Sequence, residues 1–203
     1  MVKYIIIAII FIVLAATAFH IFKVHSINKE ELNNYKENIE LTKDLGKVLV
    51  VYYSYSNGAR TKDIAQKIQK QTGADIYEIK TKQPMPGSAK IYLSSKQELK
   101  NKTYPELTAD LPDFGNYDII FVGGPVWWYT MATPLYSFLQ IADFNGKKVV
   151  PFSTQGSNYG TFFEDFNKEI KNAVVLKGEN FNNVSKEYDN MVNNKITSWL
   201  NNL

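Results

Sequence analysis

Three short stretches of this chain gather the side chains whose types and spacing could do chemistry. The first, "YYSYSNGART" (52–61), sets Ser54, Ser56, Asn57, Gly58 and Thr61 between an apolar run and a helical pattern. Backbone N–H groups at a helix start, with the positive end of its dipole, hold an anion, and the hydroxyls add donors. The lysine-bearing loop G-x-x-x-x-G-K-[ST] is absent, and so is G-x-G-x-x-G. What remains suits a terminal phosphate monoester, whose several oxygens need several donors. The plainer alternative is a Ser/Asn-rich turn in which Thr61 caps the helix.

The second stretch is "GGPVWWYTMATP" (123–134), read as a loop that leaves an apolar run through two glycines and Pro125. Trp127, Trp128 and Tyr129 follow at once. Adjacent tryptophans in a loop forfeit their apolar burial unless something flat covers them or they pack on a neighbouring element. The third stretch is "STQGSNYGTFFED" (153–165), where Gly156 and Gly160 permit close backbone approach and Asn158 and Tyr159 add polar and flat surface. Together the three ask for a ligand with a phosphate at one end and a large planar ring with hydrogen-bonding edges at the other. Flavin mononucleotide (FMN) meets both demands.

Other chemistries are excluded by composition. There are no cysteines, hence no thiolate nucleophile, disulfide or cysteine-based metal site. Both histidines, His20 and His25, lie near the N-terminus, far from the three stretches. A histidine-based general base is therefore hard to build, no catalytic side chain is assigned, and demanding chemistry would fall to a cofactor. With Lys3 and Lys23 set aside, 21 basic residues face 20 acidic ones, and no basic stripe with interleaved aromatics marks a nucleic-acid surface.

The elements that must position these stretches alternate along the chain. "KVLVVYY", "ADIYEIKT", "YDIIFVGG", "KKVVPFST" and "AVVLKGENF" read as strands, and helical patterns separate them. Strand and helix in alternation predict an open, doubly wound parallel sheet of five strands with helices on both faces. In such sheets ligands sit at the carboxyl ends of the strands. The three stretches follow strands one, three and four, as that rule requires.

On "YYSYSNGART", "FVGGPVWWYTMATP" (121–134) and "PFSTQGSNYGTFFEDF" (151–166), the chain resembles the flavodoxin family, from about Lys47 to the C-terminus. The resemblance implies a three-layer α/β/α fold with strand order 2-1-3-4-5, bound FMN, and electron transfer with a redox partner protein or a small-molecule acceptor. It also implies that Ser54, Ser56, Asn57, Gly58 and Thr61 hold the phosphate. Pro125, Trp127, Trp128 and Tyr129 would line the isoalloxazine, and Gly156, Ser157, Asn158 and Gly160 would face its pyrimidine edge. The sequence departs from the family where "NGART" places Ala59 and Arg60 before the threonine, and where the domain is near neutral rather than acidic. An NAD(P)H-dependent quinone or flavin reductase of the same fold is a second reading. A binding module without flavin is a third.

Ahead of the domain, Tyr4 to Phe19 carry no charge, and the apolar character runs on through Phe22. Residues 1–23 are expected as a membrane anchor flanked by Lys3 and Lys23, or as a secretory signal cleaved near Ala18. Residues 24–46 read as a polar stalk or a solvated helix, and residues 47–203 as the domain.

Overall fold

The computed structural model describes residues 2–55, 60–108, 111–182 and 186–203. In chain order its elements are α1 (Val2–Leu32), β1 (Val48–Tyr52), α2 (Arg60–Thr72), β2 (Asp75–Glu78), α3 (Ser88–Asn101), β3 (Ile119–Trp127) and β4 (Thr130–Met131). There follow α4 (Thr133–Ile141), β5 (Lys148–Gln155), α5 (Phe162–Glu169), β6 (Val174–Val175), β7 (Glu179–Asn182) and α6 (Asp189–Asn201).

Every residue of β1 is buried, as a strand covered on both faces must be. Alternate side chains serve opposite layers. Val48, Val50 and Tyr52 join Phe121, Val150 and Phe152 beneath α2 and α6, against Ile64, Ile68, Ile196 and Leu200. Leu49, Val51 and Tyr53 join Ile120, Val122 and Val149 on the other face, against Leu135, Phe138, Phe162 and Phe166 of α4 and α5. The principal strands pair in parallel, in the order β2-β1-β3-β5-β6. With β5 counted as the fourth strand, this is the expected 2-1-3-4-5 order and the expected three layers.

Two parts of the expected sheet come out differently. The stretch read as a loop from Gly123 is strand as far as Trp127, followed by a two-residue hairpin to β4. Gly123 is not loop punctuation: a Cβ there would stand 2.3 Å from the Phe152 ring, which lies across the strand. The fifth strand, expected whole, is split into β6 and β7 around one extra residue, since Val149 pairs Val175 but Phe152 pairs Glu179. The odd-numbered residues of β5 face this edge, as the Val174 and Leu176 N–H bonds to the Lys147 and Val149 carbonyls show. Pro151 falls on the same side and has no N–H to offer, so the ladder breaks there.

The segment after α1 is fastened to α6. Leu32 is buried in the core layer under α6, with Leu41 and Leu45 packed on it. Asn201 accepts the Thr42 N–H at 2.9 Å and donates to the Glu40 carbonyl, and Asn194 donates to the Tyr35 carbonyl. Lys195, 3% exposed, meets Glu31 at 2.5 Å, Glu179 at 3.3 Å and the Asn180 carbonyl at 2.7 Å. Within α1, Lys3–His20 has a mean hydropathy of 2.2 and none of it is buried, so this helix is long and apolar enough to cross a membrane. A secretory signal has the same properties.

Candidate functional site

The carboxyl ends of β1, β3 and β5 converge on one cavity of about 320 Å³, within the usual size of small-molecule sites. From β1 and the start of α2 come Ser54, Tyr55, Arg60 and Thr61. Pro125, Val126 and Trp127 come from β3, and Thr154, Gln155 and Gly156 from β5. The floor is polar and buried: Thr61 Oγ1 and Thr154 Oγ1 lie 2.7 Å apart, and the two residues are 2% and 3% exposed. Gln155 is fixed by donating to Asn180 Oδ1 at 2.9 Å while its own oxygen accepts from Ser153. The Arg60 guanidinium comes within 3.6 Å of where a Cβ on Gly156 would stand.

Trp127 forms the aromatic wall. Its ring meets Tyr53 and Tyr55 edge-on, with centroids at 5.8 and 5.5 Å and interplanar angles of 90° and 85°. Edge-to-face contacts of this kind hold a ring in one orientation. Burial, with Tyr55 and Glu98 nearby, pushes the Tyr53 phenol well above its usual range, so it remains a neutral ring.

Trp128 lies elsewhere. It borders an adjoining apolar cavity of about 340 Å³, closed by Ile91, Tyr92 and Ser95 of α3, which shares Tyr55, Val126 and Trp127 with the first. Its Nε1–H donates to Ser95 Oγ at 3.2 Å, its ring centroid is 4.0 Å from that of Tyr92, and Lys96 Nζ stands over it at 4.7 Å.

The hairpin that carries Trp128 is strained and is held from outside. Trp128 and Tyr129 have φ of 53° and 63°, the mirror-image turn usually given to Asn-Gly. Each such residue costs about 1–2 kcal/mol. The Tyr129 carbonyl accepts the Thr161 N–H at 2.7 Å. Asp165 Oδ2 accepts from Thr130 Oγ1 at 2.6 Å and from Thr161 Oγ1 at 2.5 Å, tying hairpin to α5. Thr130 spends its only proton there, so the Tyr136 hydroxyl donates to it at 2.6 Å. Partial burial raises the Asp165 pKa, but donors from Thr130, Thr161 and Lys168 outweigh it and hold the carboxyl below its usual range.

The sequence-derived residues therefore separate. Ser54, Thr61, Pro125, Trp127 and Gly156 meet in one cavity. Ser56, Asn57 and Gly58 lie outside the described residues. Tyr129 is 61% exposed at the turn. Ser157 accepts from Asn182 Nδ2 through its carbonyl, and Asn158 Oδ1 accepts the Gly160 N–H at 3.0 Å. Gly160, expected to let backbone approach a ligand, lets it approach Tyr129 instead: at φ 54°, a Cβ there would stand 2.1 Å from the Tyr129 oxygen. Sequence reasoning missed Tyr55, Arg60, Val126, Thr154 and Gln155. Arg60 carried a signal, as the one cation between Tyr52 and Thr61.

The sequence profile described as Flavodoxin matches residues 47–203. The chain belongs to the flavodoxin family. "Flavodoxin 1" of Salmonella typhimurium is 28% identical over 128 residues, which span 61% of this chain and 59% of that protein. The flavoprotein of Lactobacillus acidophilus NCFM, whose crystal structure is a complex with FMN, is 27% identical with a TM-score of 0.60. That match covers 66% of this chain and 93% of the flavoprotein. A structure from Bacteroides eggerthii reaches a TM-score of 0.65 at 26% identity, covering 76% and 96% of the two chains. In this flavodoxin-family chain the cavity at the strand ends sits where doubly wound sheets take their ligands.

Proposed function

We propose that the chain binds FMN in the cavity at the ends of β1, β3 and β5 and exchanges electrons with a redox partner while tethered to a membrane by α1. The observation that carries this reading is one crevice lined both by the buried hydroxyl pair Thr61–Thr154 and by Trp127. The residues suit the two ends of FMN. Hydroxyls of Ser54, Thr61 and Thr154 and the intervening stretch with Ser56, Asn57 and Gly58 take the phosphate side. Trp127 takes the ring. Pro125, Gly156, Ser157 and Asn158 border the ring's polar edge.

When bound, FMN supplies one- and two-electron chemistry that no side chain of this protein offers. The chain's own residues bind, orient and shield. Tyr53 and Tyr55 set the angle of Trp127 before the ligand arrives, so less order is lost on binding. Partial withdrawal from water, with an electron-rich indole alongside, disfavours added negative charge on a ring held there. The exposed apolar face of Lys3–His20 supports a tether, and the docking of residues 31–45 on α6 supports a domain held near it.

A second reading draws on the adjoining apolar cavity. Its aromatic walls share Trp127 with the first and would admit a flat acceptor, as a quinone reductase requires. Oxidation of NADPH with a quinone acceptor separates the two readings.

The experiment is a visible spectrum of the purified full chain in detergent, before and after incubation with FMN and removal of excess. Retained absorbance bands of oxidised flavin at near-equimolar amounts support the reading. A colourless protein after incubation overturns it.

A further inference from the structure

We infer that Arg60 is the residue by which this site selects a phosphorylated flavin, its guanidinium supplying the counter-charge to a phosphate dianion. This rests on the cofactor reading above. Four observations on the cavity carry it. Arg60 lines the crevice together with Thr61 and Thr154. Its Nη1 stands over Gly156, 3.6 Å from the position a Cβ would take, so the absent side chain leaves the guanidinium open to the cavity. No Asp or Glu lines that cavity. Among the described residues, no salt bridge or hydrogen bond engages Arg60. Five lysines of the described residues meet carboxylates in ion pairs, whereas Arg60 lines a cavity bordered by the hydroxyl residues Ser54, Thr61 and Thr154.

The chemistry follows from the fork of donors. A guanidinium presents paired N–H groups that match two phosphate oxygens at once, and it stays charged at every working pH. The hydroxyls of Thr61 and Thr154 bond each other, so one proton of the pair is already committed and the pair alone is a weak anion seat. Arg60 supplies what that pair lacks. It has no role towards the ring, which lies on the Trp127 side of the crevice, so its contribution appears for FMN and vanishes for riboflavin, the same ring without phosphate.

The test compares FMN and riboflavin binding to the full chain, wild type, Arg60→Gln and Arg60→Lys, by quenching of flavin fluorescence at two salt concentrations. Arg60→Gln is expected to weaken FMN binding roughly 10- to 100-fold, the range for a charge-assisted hydrogen bond, and to change riboflavin binding by less than about 3-fold. Arg60→Lys restores part of the loss, because the charge returns without the fork. Added salt weakens FMN binding to the wild type more than to Arg60→Gln. In ³¹P spectra of the complex, the phosphate titrates at lower pH in the wild type than in Arg60→Gln. Equal losses for FMN and riboflavin, or no loss for either, overturn the assignment while leaving the cofactor reading intact. A wild type that binds neither ligand overturns both.

Discussion

Thr61 and Thr154, 93 residues apart in the chain, share a hydrogen bond between their hydroxyls at 2.7 Å on the floor of the cavity. The first belongs to α2 and the second to β5, so the bond locks the two loops nearest the anion end of the site together. Replacing either by Val keeps the shape and orphans the other hydroxyl in a buried place, which costs about 1–3 kcal/mol. The double replacement is expected to cost less than the sum of the two. Urea unfolding of the four proteins measures the coupling; additive losses would contradict a shared bond.

Trp127 and Trp128 are neighbours in sequence with separate duties. Trp127→Ala is expected to weaken FMN binding by about 1–3 kcal/mol, from lost stacking and burial. Trp128→Ala should change FMN affinity by a few-fold at most and lower the melting temperature, because it frees Ser95, Tyr92 and Lys96 of α3. Calorimetric titration of both variants checks this, and a reversed ranking would place the ring in the second cavity.

Gly160→Ala forces a Cβ against the Tyr129 carbonyl at a positive φ. The variant is expected to lose about 1–3 kcal/mol of stability. The detachment should be visible as faster amide exchange at Thr161, whose N–H bonds that carbonyl. Unchanged exchange there would show that the hairpin is held by Asp165 alone.

Asp165 gives the site a pH dependence. Its carboxyl titrates below its usual range in the folded protein. A depressed folded pKa stabilises fully above the unfolded value of about 3.9, and that contribution is lost as pH falls through the lower folded value. Unfolding free energy measured from pH 6 down to pH 2 is therefore expected to decline more steeply below pH 4 in the wild type than in Asp165→Asn. Parallel curves would mean the three donors do not discriminate the charged form.

Lys195 anchors the segment after α1. Removing it in Lys195→Met leaves Glu179, which is 24% exposed, facing an apolar side chain. The loss is expected at about 2–4 kcal/mol, below the full range for a buried pair because Glu31 is 40% exposed. Glu31→Ala should cost under about 1 kcal/mol. Denaturant midpoints of the two variants give the comparison.

The sheet was legible in the sequence because parallel strands are covered on both faces, and "KVLVVYY" or "YDIIFVGG" can be little else. The mouths of strands one, three and four announced themselves through hydroxyls, glycines and aromatics set where apolar runs stop. What stayed hidden was set by neighbours distant in sequence. Gly123 and Gly124 look like turn residues, yet Gly123 exists to seat the Phe152 ring, so β3 runs on to Trp127. The break in the last strand belongs to Pro151 on β5. Two adjacent tryptophans could not be told apart until the hairpin aimed one at the cavity and the other at α3. Gly160 answered to a carbonyl 31 residues earlier rather than to a ligand. Arg60 looked like a blemish in a phosphate loop until its guanidinium was found over Gly156.

The most direct test of the account is a crystal structure of the full chain with FMN. The account expects the isoalloxazine plane against the face of Trp127, with the phosphate within hydrogen-bonding distance of Thr61. A flavin stacked on Trp128 beneath α3, or bound away from the ends of β1, β3 and β5, would contradict it.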